Sequence, residues 1–422
     1  MTDRRTTSPG ILVIGSGDTK SDELSFLRES IVGAGGRPLI MDVSVLGRPR
    51  FTPEYSSDEV AAAAGLSLRE VAASGDENAA ITKMAKGASV LARRLCDEGK
   101  ADGVLILGGS LLTDLGLDVA LALPVGVPKL LVSTVAFSHL IPPDRIASDL
   151  MMVLWCGGLY GVNAVSRSVL ARAAGAVVGA ARAIEERQAT RPVVGVTSLG
   201  SSCLSYMVAL KPELERRGYE VAIFHATGMG GRAFETFASE GRFAAVMDFC
   251  LQEIVNHDHG VVATSAGPDR LEHAGRRGIP QIVAPGAIDM VDLPAWAPLP
   301  DRLAGRPRHD HNRLIGSLTT SASDRERAAR LIAEKLRRAE GKTALILPSG
   351  GIQAWDRPGQ PLHDAEALRA FVEAMRGAAL PPIELFEIPD HINSHAFAAR
   401  ALSVFDAWVR AGHIPAGEPA DA

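Results

Sequence analysis

Short apolar runs alternate along the chain with longer stretches that are apolar on one face only. Gly10–Ser16 is a continuous apolar run and predicts a buried strand. The next segment, to about Ala34, carries Leu24, Leu27 and Ile31 at helical spacing beside a polar face. Arg37–Val43 predicts a second strand, and Asp76–Glu98 a long helix with Ile81, Met84, Ala88, Leu91 and Leu95 on one side. Strands follow at Gly103–Leu107, Pro128–Val135 and Asp149–Trp155, and then a helix to about Arg187. The pattern restarts at Val193–Leu199. It continues through Tyr219–Phe224, Ala244–Phe249, Gly260–Thr264, Gln281–Ala284, Thr343–Leu347 and Ile383–Ile388, and closes on a helix from Ser394 to Arg410. Strand–helix alternation of this kind predicts an α/β protein with mostly parallel sheets. The charged, Pro-ended segment 185–192 breaks the pattern. We therefore expect two Rossmann-like doubly wound domains, residues 1–188 and 189–422.

Length supports that division, since 422 residues exceed one average domain. A net charge of -5 gives no reason to expect nucleic acid as a partner. No long uncharged apolar run predicts a membrane span. Met1–Gly10 has two Arg but no apolar core behind them, so it does not read as a secretory signal. Cys96, Cys156, Cys203 and Cys250 are scattered without Cys-x-x-Cys spacing, which fits reduced thiols and a cytoplasmic protein. Cys203 sits in a Gly/Ser turn near an expected helix start, where a thiol can become acidic; small buried packing is the competing reading. Asp42, at the end of the second strand, has the position of a ribose ligand, but no Gly-x-Gly-x-x-Gly follows the first strand. The P-loop and nucleophile-elbow motifs are also missing.

Gly- and Ser-rich loops fall just after strands in the second half, at 197–202, 225–232, 265–270, 285–290 and 348–351. In an open parallel sheet such loops share one edge, where ligands bind. His225-Ala226-Thr227-Gly228-Met229-Gly230-Gly231-Arg232 joins a strand to a helix, so backbone N–H groups and the helix dipole favour an anion there. Loop chemistry therefore places phosphates near Thr227, Gly228, Gly230, Gly231 and Arg232, with Ser265, Gly267 and Arg270 on the same edge. Acid/base candidates are Asp18, Lys20, His225, Glu253 and His311. His-Asp-His occurs at 257–259 and 309–311, but no third ligand stands at fitting spacing, so no metal is assigned.

Several motifs together resemble the Tm-one-like ATP-binding family. They are Gly17-Asp18-Thr19-Lys20 with Glu23-Leu24, Val162-Asn163 with Ser166-Arg167, and above all residues 225–232. Ser265–Leu271, Gly286–Val291 and His391-Ile392-Asn393 add to the likeness, which covers about residues 10–410. The resemblance implies two Rossmann-like subdomains, ATP binding (with Mg²⁺ as a possible companion) and self-association as a homodimer or larger. The chain departs from the family pattern at Leu111-Leu112, where a more Gly-rich loop is usual, and around Leu154-Trp155-Cys156, which is usually more polar. Leucine denies a ligand close approach to the backbone, so the second half is the better ATP site. The competing expectations are an enzyme acting on a small phosphorylated or carboxylated substrate between the domains, and a scaffold holding nucleotide as a structural ligand.

Overall fold

The computed structural model describes residues 8–155, 157–183, 191–360 and 362–418. The chain divides into two compact units, Met1–Arg187 and Gln188–Ala422. The boundary expected at 188/189 lies outside the described residues, as does Cys156.

Unit 1 runs β1 (Gly10–Gly15), α1 (Gly17–Gly33), β2 (Arg37–Asp42), α2 (Ser57–Ala63), α3 (Leu68–Ala72), α4 (Glu77–Asp97), β3 (Gly103–Gly108), α5 (Ser110–Ala122), β4 (Lys129–Ser133), β5 (Leu150–Leu154) and α6 (Ala164–Arg182). Its sheet has the order β2-β1-β3-β4-β5, and every pairing is parallel. Apolar residues alternate between two cores. Leu12, Ile14, Val104 and Ile106 face the α4 side, and Ile11, Val13, Leu105 and Leu107 the α6 side. Burial on both faces is why the strands read as unbroken apolar runs. Helix α4 starts where Asp76 accepts the Ala79 amide, and its stripe is the one expected. Helix α6 is long and apolar enough to cross a membrane, a feature the sequence reading did not pick out. Within the unit its Leu170, Ala173, Ala174, Val177 and Val178 pack into the core.

Unit 2 runs β6 (Val193–Ser198), α7 (Ser205–Arg216), β7 (Glu220–His225), α8 (Met229–Ser239), β8 (Ala245–Cys250), α9 (Gln252–Asp258), α10 (His273–Arg276), β9 (Gln281–Gly286), β10 (Met290–Pro294), β11 (Arg308–Asp310), β12 (Ile315–Thr319), α11 (Ala322–Arg337), β13 (Thr343–Pro348), α12 (Ala365–Ala378), β14 (Glu384–Ile388) and α13 (His395–Arg410). The main sheet is parallel with the order β14-β13-β9-β8-β6-β7. Both units thus have the α/β, Rossmann-like architecture expected.

Three local expectations in unit 2 are corrected. Gly260–Thr264 is not a strand. Gly260 at φ 67° closes α9, with Val261 N donating to Asn256 O, so the segment is a helix cap. No helix starts at Pro268, because Leu271 takes φ 72° and Arg270 turns into the core. Neither Ser201 nor Ser202 caps α7. That helix begins at Ser205, and Ser202 Oγ donates to Leu199 O at 2.6 Å. A small antiparallel sheet, β10-β12-β11, was not anticipated, and it carries His309.

Candidate functional site

In each unit the chain winds outward from its first strand, then crosses back to lay the third strand on the other side. The order reverses between β1 and β3 in unit 1 and between β6 and β8 in unit 2. At such a switch point the two following loops part, leaving a crevice beyond the C-terminal strand ends.

The unit 1 switch point carries two of the acid/base candidates. The Asp18 amide donates to Ser44 Oγ at 3.0 Å, and Lys20 Nζ stands 5.7 Å from the Tyr160 ring centroid. The Gly17 amide, at the start of α1, donates to Asp42 Oδ1 at 2.8 Å. Asp42 is therefore a buried anchor for α1 and not an open ribose ligand.

In unit 2 the structure brings the 225–232 and 265–270 loops together around Glu253. Glu253 Oε1 accepts the amides of Gly228 at 2.6 Å and Gly231 at 3.0 Å. An anion does sit on the Gly-rich helix start, and it is the protein's own carboxylate. A β-carbon at Gly231 would stand 1.8 Å from Glu253 Oε2, and one at Gly230 would stand 1.8 Å from His225 O. Close approach thus explains both glycines.

Arg270 holds Glu253 from the other side, with Nε 2.7 Å from Oε2. Its Nη1 donates to Asp248 Oδ2 and to Glu235 Oε1, and its Nη2 to Asp248 Oδ1 at 2.7 Å and Cys250 O at 3.0 Å. All five N–H groups are thereby engaged, and the side chain is fully buried. This corrects the placement of Arg270 on the ligand edge: three internal carboxylates claim it. Burial pushes the Glu253 carboxyl up to about 7 against the pull of Arg270 and the Gly228 amide. Burial also works against ionised Glu235, but His273, Arg270 and two amides hold it below the usual range. Ser265 Oγ lies 3.1 Å from His257 Nδ1 and accepts the Gly267 amide at 3.0 Å. Arg232 Nη1 donates to Ala266 O at 3.1 Å, and Thr227 is half-buried.

On the β6–β7 side of the crevice an exposed histidine stands in front of a buried polar pair. His225, at the end of β7, is exposed, and its Nδ1 accepts the Gly200 amide at 3.3 Å. That contact leaves Nε2 as the outward nitrogen. Burial, with nearby His311, lowers the His225 pKa, and Asp292 opposes the shift. Asp292, on β10, is buried and raised; its Oδ1 accepts from Ser317 Oγ. Gln252, at the start of α9, is fully buried, and hydrogen bonding from its side chain holds the Asp292 carboxyl down against burial. Among the described residues the Gln252 amide oxygen completes no hydrogen bond. His309 lies 4.1 Å from the Trp355 ring centroid and His311 6.2 Å. Gln252, Asp292 and Trp355 were missed from sequence. A Gln-Glu pair directly after a strand was the available signal for Gln252, whereas Asp292 and Trp355 are placed by tertiary packing.

No group of three or more His, Cys, Asp or Glu side chains is gathered for a metal among the described residues. Cys203 is buried, with Sγ 3.4 Å from Ile352 O, and burial raises its pKa well above the ordinary value. It is a packed thiol and not an activated one.

Fold and loops define a two-unit α/β protein with a strand-end crevice in each unit. The N-terminal domain of an uncharacterised protein family, UPF0261, matches residues 9–186, and the C-terminal domain of the same family matches 191–409. The chain belongs to the UPF0261 family. A UPF0261 protein of Brucella melitensis is 57% identical over 98% of this chain and 99% of its own length. One from Clostridium tetani is 33% identical over 92% of this chain and 96% of its own. The ToMV resistance protein Tm-1 of Solanum lycopersicum is 30% identical over 96% of this chain, which spans 56% of that protein. A solved UDP-N-acetylglucosamine 2-epimerase aligns with 99% of the chain at 9% identity and a TM-score of 0.22, below the level that establishes a shared fold.

Proposed function

We propose that the protein binds a nucleotide, ATP being the one the family resemblance implies, in the switch-point crevice of unit 2. The surface is the one formed by Gly200 and His225, with Gln252 and Asp292 buried behind it and the His309–Trp355 pair as an aromatic face for a base. One observation carries this reading. The Gln252 side chain is fully buried at the switch point beside Asp292, to which it hydrogen bonds, and its amide oxygen completes no hydrogen bond among the described residues. A buried acceptor in that condition costs about 1–3 kcal/mol, which a donor reaching it would offset. The phosphates lie outside the Gly228–Gly231 amides, since Glu253 already holds them.

Isothermal titration of ATP, ADP and adenosine into wild type, His225→Ala and Arg232→Ala tests this. ATP binding weakened at least about tenfold by His225→Ala supports the reading, about 1.4 kcal/mol of lost contact. No binding of any of the three, or binding lost only on Arg232→Ala, refutes the placement.

A second reading, an enzyme acting on a small phosphorylated or carboxylated substrate, has specific support at His225. Its Nδ1 accepts the Gly200 amide and its pKa is lowered, so the neutral ring presents Nε2–H as a donor to a substrate oxyanion. Glu253 leaves that list of candidates, because both its oxygens are occupied.

A further inference from the structure

A second pocket in unit 2, of about 380 Å³, lies between the end of β13 and α12. Its volume falls in the range of small-molecule sites. Ser349 and Gly350 form the strand-end wall, and Leu368, Arg369 and Val372 on one face of α12 form the other. His363 enters from the segment before α12, with Nδ1 3.3 Å from Asp356 Oδ1. Asp356 is fully buried, and its second oxygen accepts the Ile352 amide at 3.2 Å. The carboxylate therefore fixes the ring from inside and leaves Nε2 to the pocket. An imidazole held this way presents Nε2 to a ligand without turning, as a donor when that nitrogen carries a proton.

The pocket also contains a cation with no internal use. Arg369 is exposed on α12 and has no ion-pair or hydrogen-bond partner among the described residues. Arg376, two turns further on, is already neutralised by Glu387, and Glu373 lies between them in sequence. Among the described residues, the free cation of the pocket is therefore Arg369, at the end where His363 stands. Ser349 Oγ is 3.2 Å from Ile388 O and serves as wall.

We propose that this pocket binds a small metabolite bearing an oxyanion, phosphate or carboxylate, with the Arg369 guanidinium and His363 Nε2 on the anionic group. A guanidinium matches either anion through paired N–H donors. The site is separate from the His225 crevice and does not depend on it.

Calorimetric titration of the full chain with inorganic phosphate, and separately with succinate, tests the proposal on wild type, Arg369→Gln and His363→Gln. Arg369 is exposed, so its variant keeps the fold, and circular dichroism verifies this. At least one anion is expected to bind. Arg369→Gln and His363→Gln should each weaken it about tenfold or more. Which anion binds decides between a phosphorylated and a carboxylated ligand. No binding of either anion at tens of millimolar, or binding that survives Arg369→Gln, overturns the proposal.

Discussion

Arg270 donates from Nε to Glu253 Oε2 at 2.7 Å, and neither side chain reaches solvent. The pair lies under the Gly-rich turn, so the turn is shaped by what it covers. Gly231→Ala should show this. Alanine favours a helix over glycine by about 1 kcal/mol. Its methyl would instead meet Glu253 Oε2, so we expect a net loss of about 1–3 kcal/mol in urea unfolding. A stabilised Gly231→Ala protein would mean that Glu253 is not seated there.

Arg270→Met should cost about 3–5 kcal/mol, because Asp248, Glu235 and Glu253 stay buried without their cation. The deficit has a sign in pH. Protonation relieves the stranded carboxylates, so the gap in melting temperature between variant and wild type should narrow from pH 8 to pH 5. A gap independent of pH would assign the loss to packing alone.

Glu253→Ala should open a small anion site. The Gly228 and Gly231 amides and Arg270 Nε would then converge where the carboxylate was. Formate or acetate should raise the melting temperature of this variant more than that of wild type. Equal responses at matched ionic strength would count against the cradle.

Asp289 makes a separate pH prediction. Burial raises its pKa to about 6, with Arg325 opposing and Asp356 assisting. The folded state therefore holds this proton more tightly than the unfolded chain. Its contribution to stability is complete below the ordinary carboxylate range, declines as pH rises toward about 6, and is flat above. In Asp289→Asn that part of the slope should vanish, as chemical denaturation at pH 4, 5, 6 and 7 would reveal. An unchanged slope would show that Asp289 does not titrate there.

Strand and helix order was readable from the sequence wherever a segment is buried on both faces or carries one apolar stripe. Gly10–Gly15 and the α4 helix from Glu77 to Asp97 are of that kind. The β10-β12-β11 sheet was not readable, because Arg308-His309-Asp310 is short, polar and held only by pairing with β12. The gathering of residues 225–232 with 265–270 was expected from positions after strands, but only 225–232 follows one; the 265–270 loop arrives from the end of α9. Their charge balance was not visible, because nothing local shows that Glu253 reaches back to Gly228 or that Arg270 turns inward. A Gly-rich helix start looks the same in sequence whether its anion is a ligand or a side chain from elsewhere in the chain.

The shared strand order of the two sheets bears on stoichiometry. Winding outward and back twice in one polypeptide gives each chain two openings of the same geometric origin, one past β1 and β3 and one past β6 and β8. They are lined differently, by Asp18 and Lys20 in the first and by Gly200 and His225 in the second. A titration fitted to one class of site per chain would average two unlike affinities. Counting bound molecules per chain therefore comes before any affinity assigned to either opening.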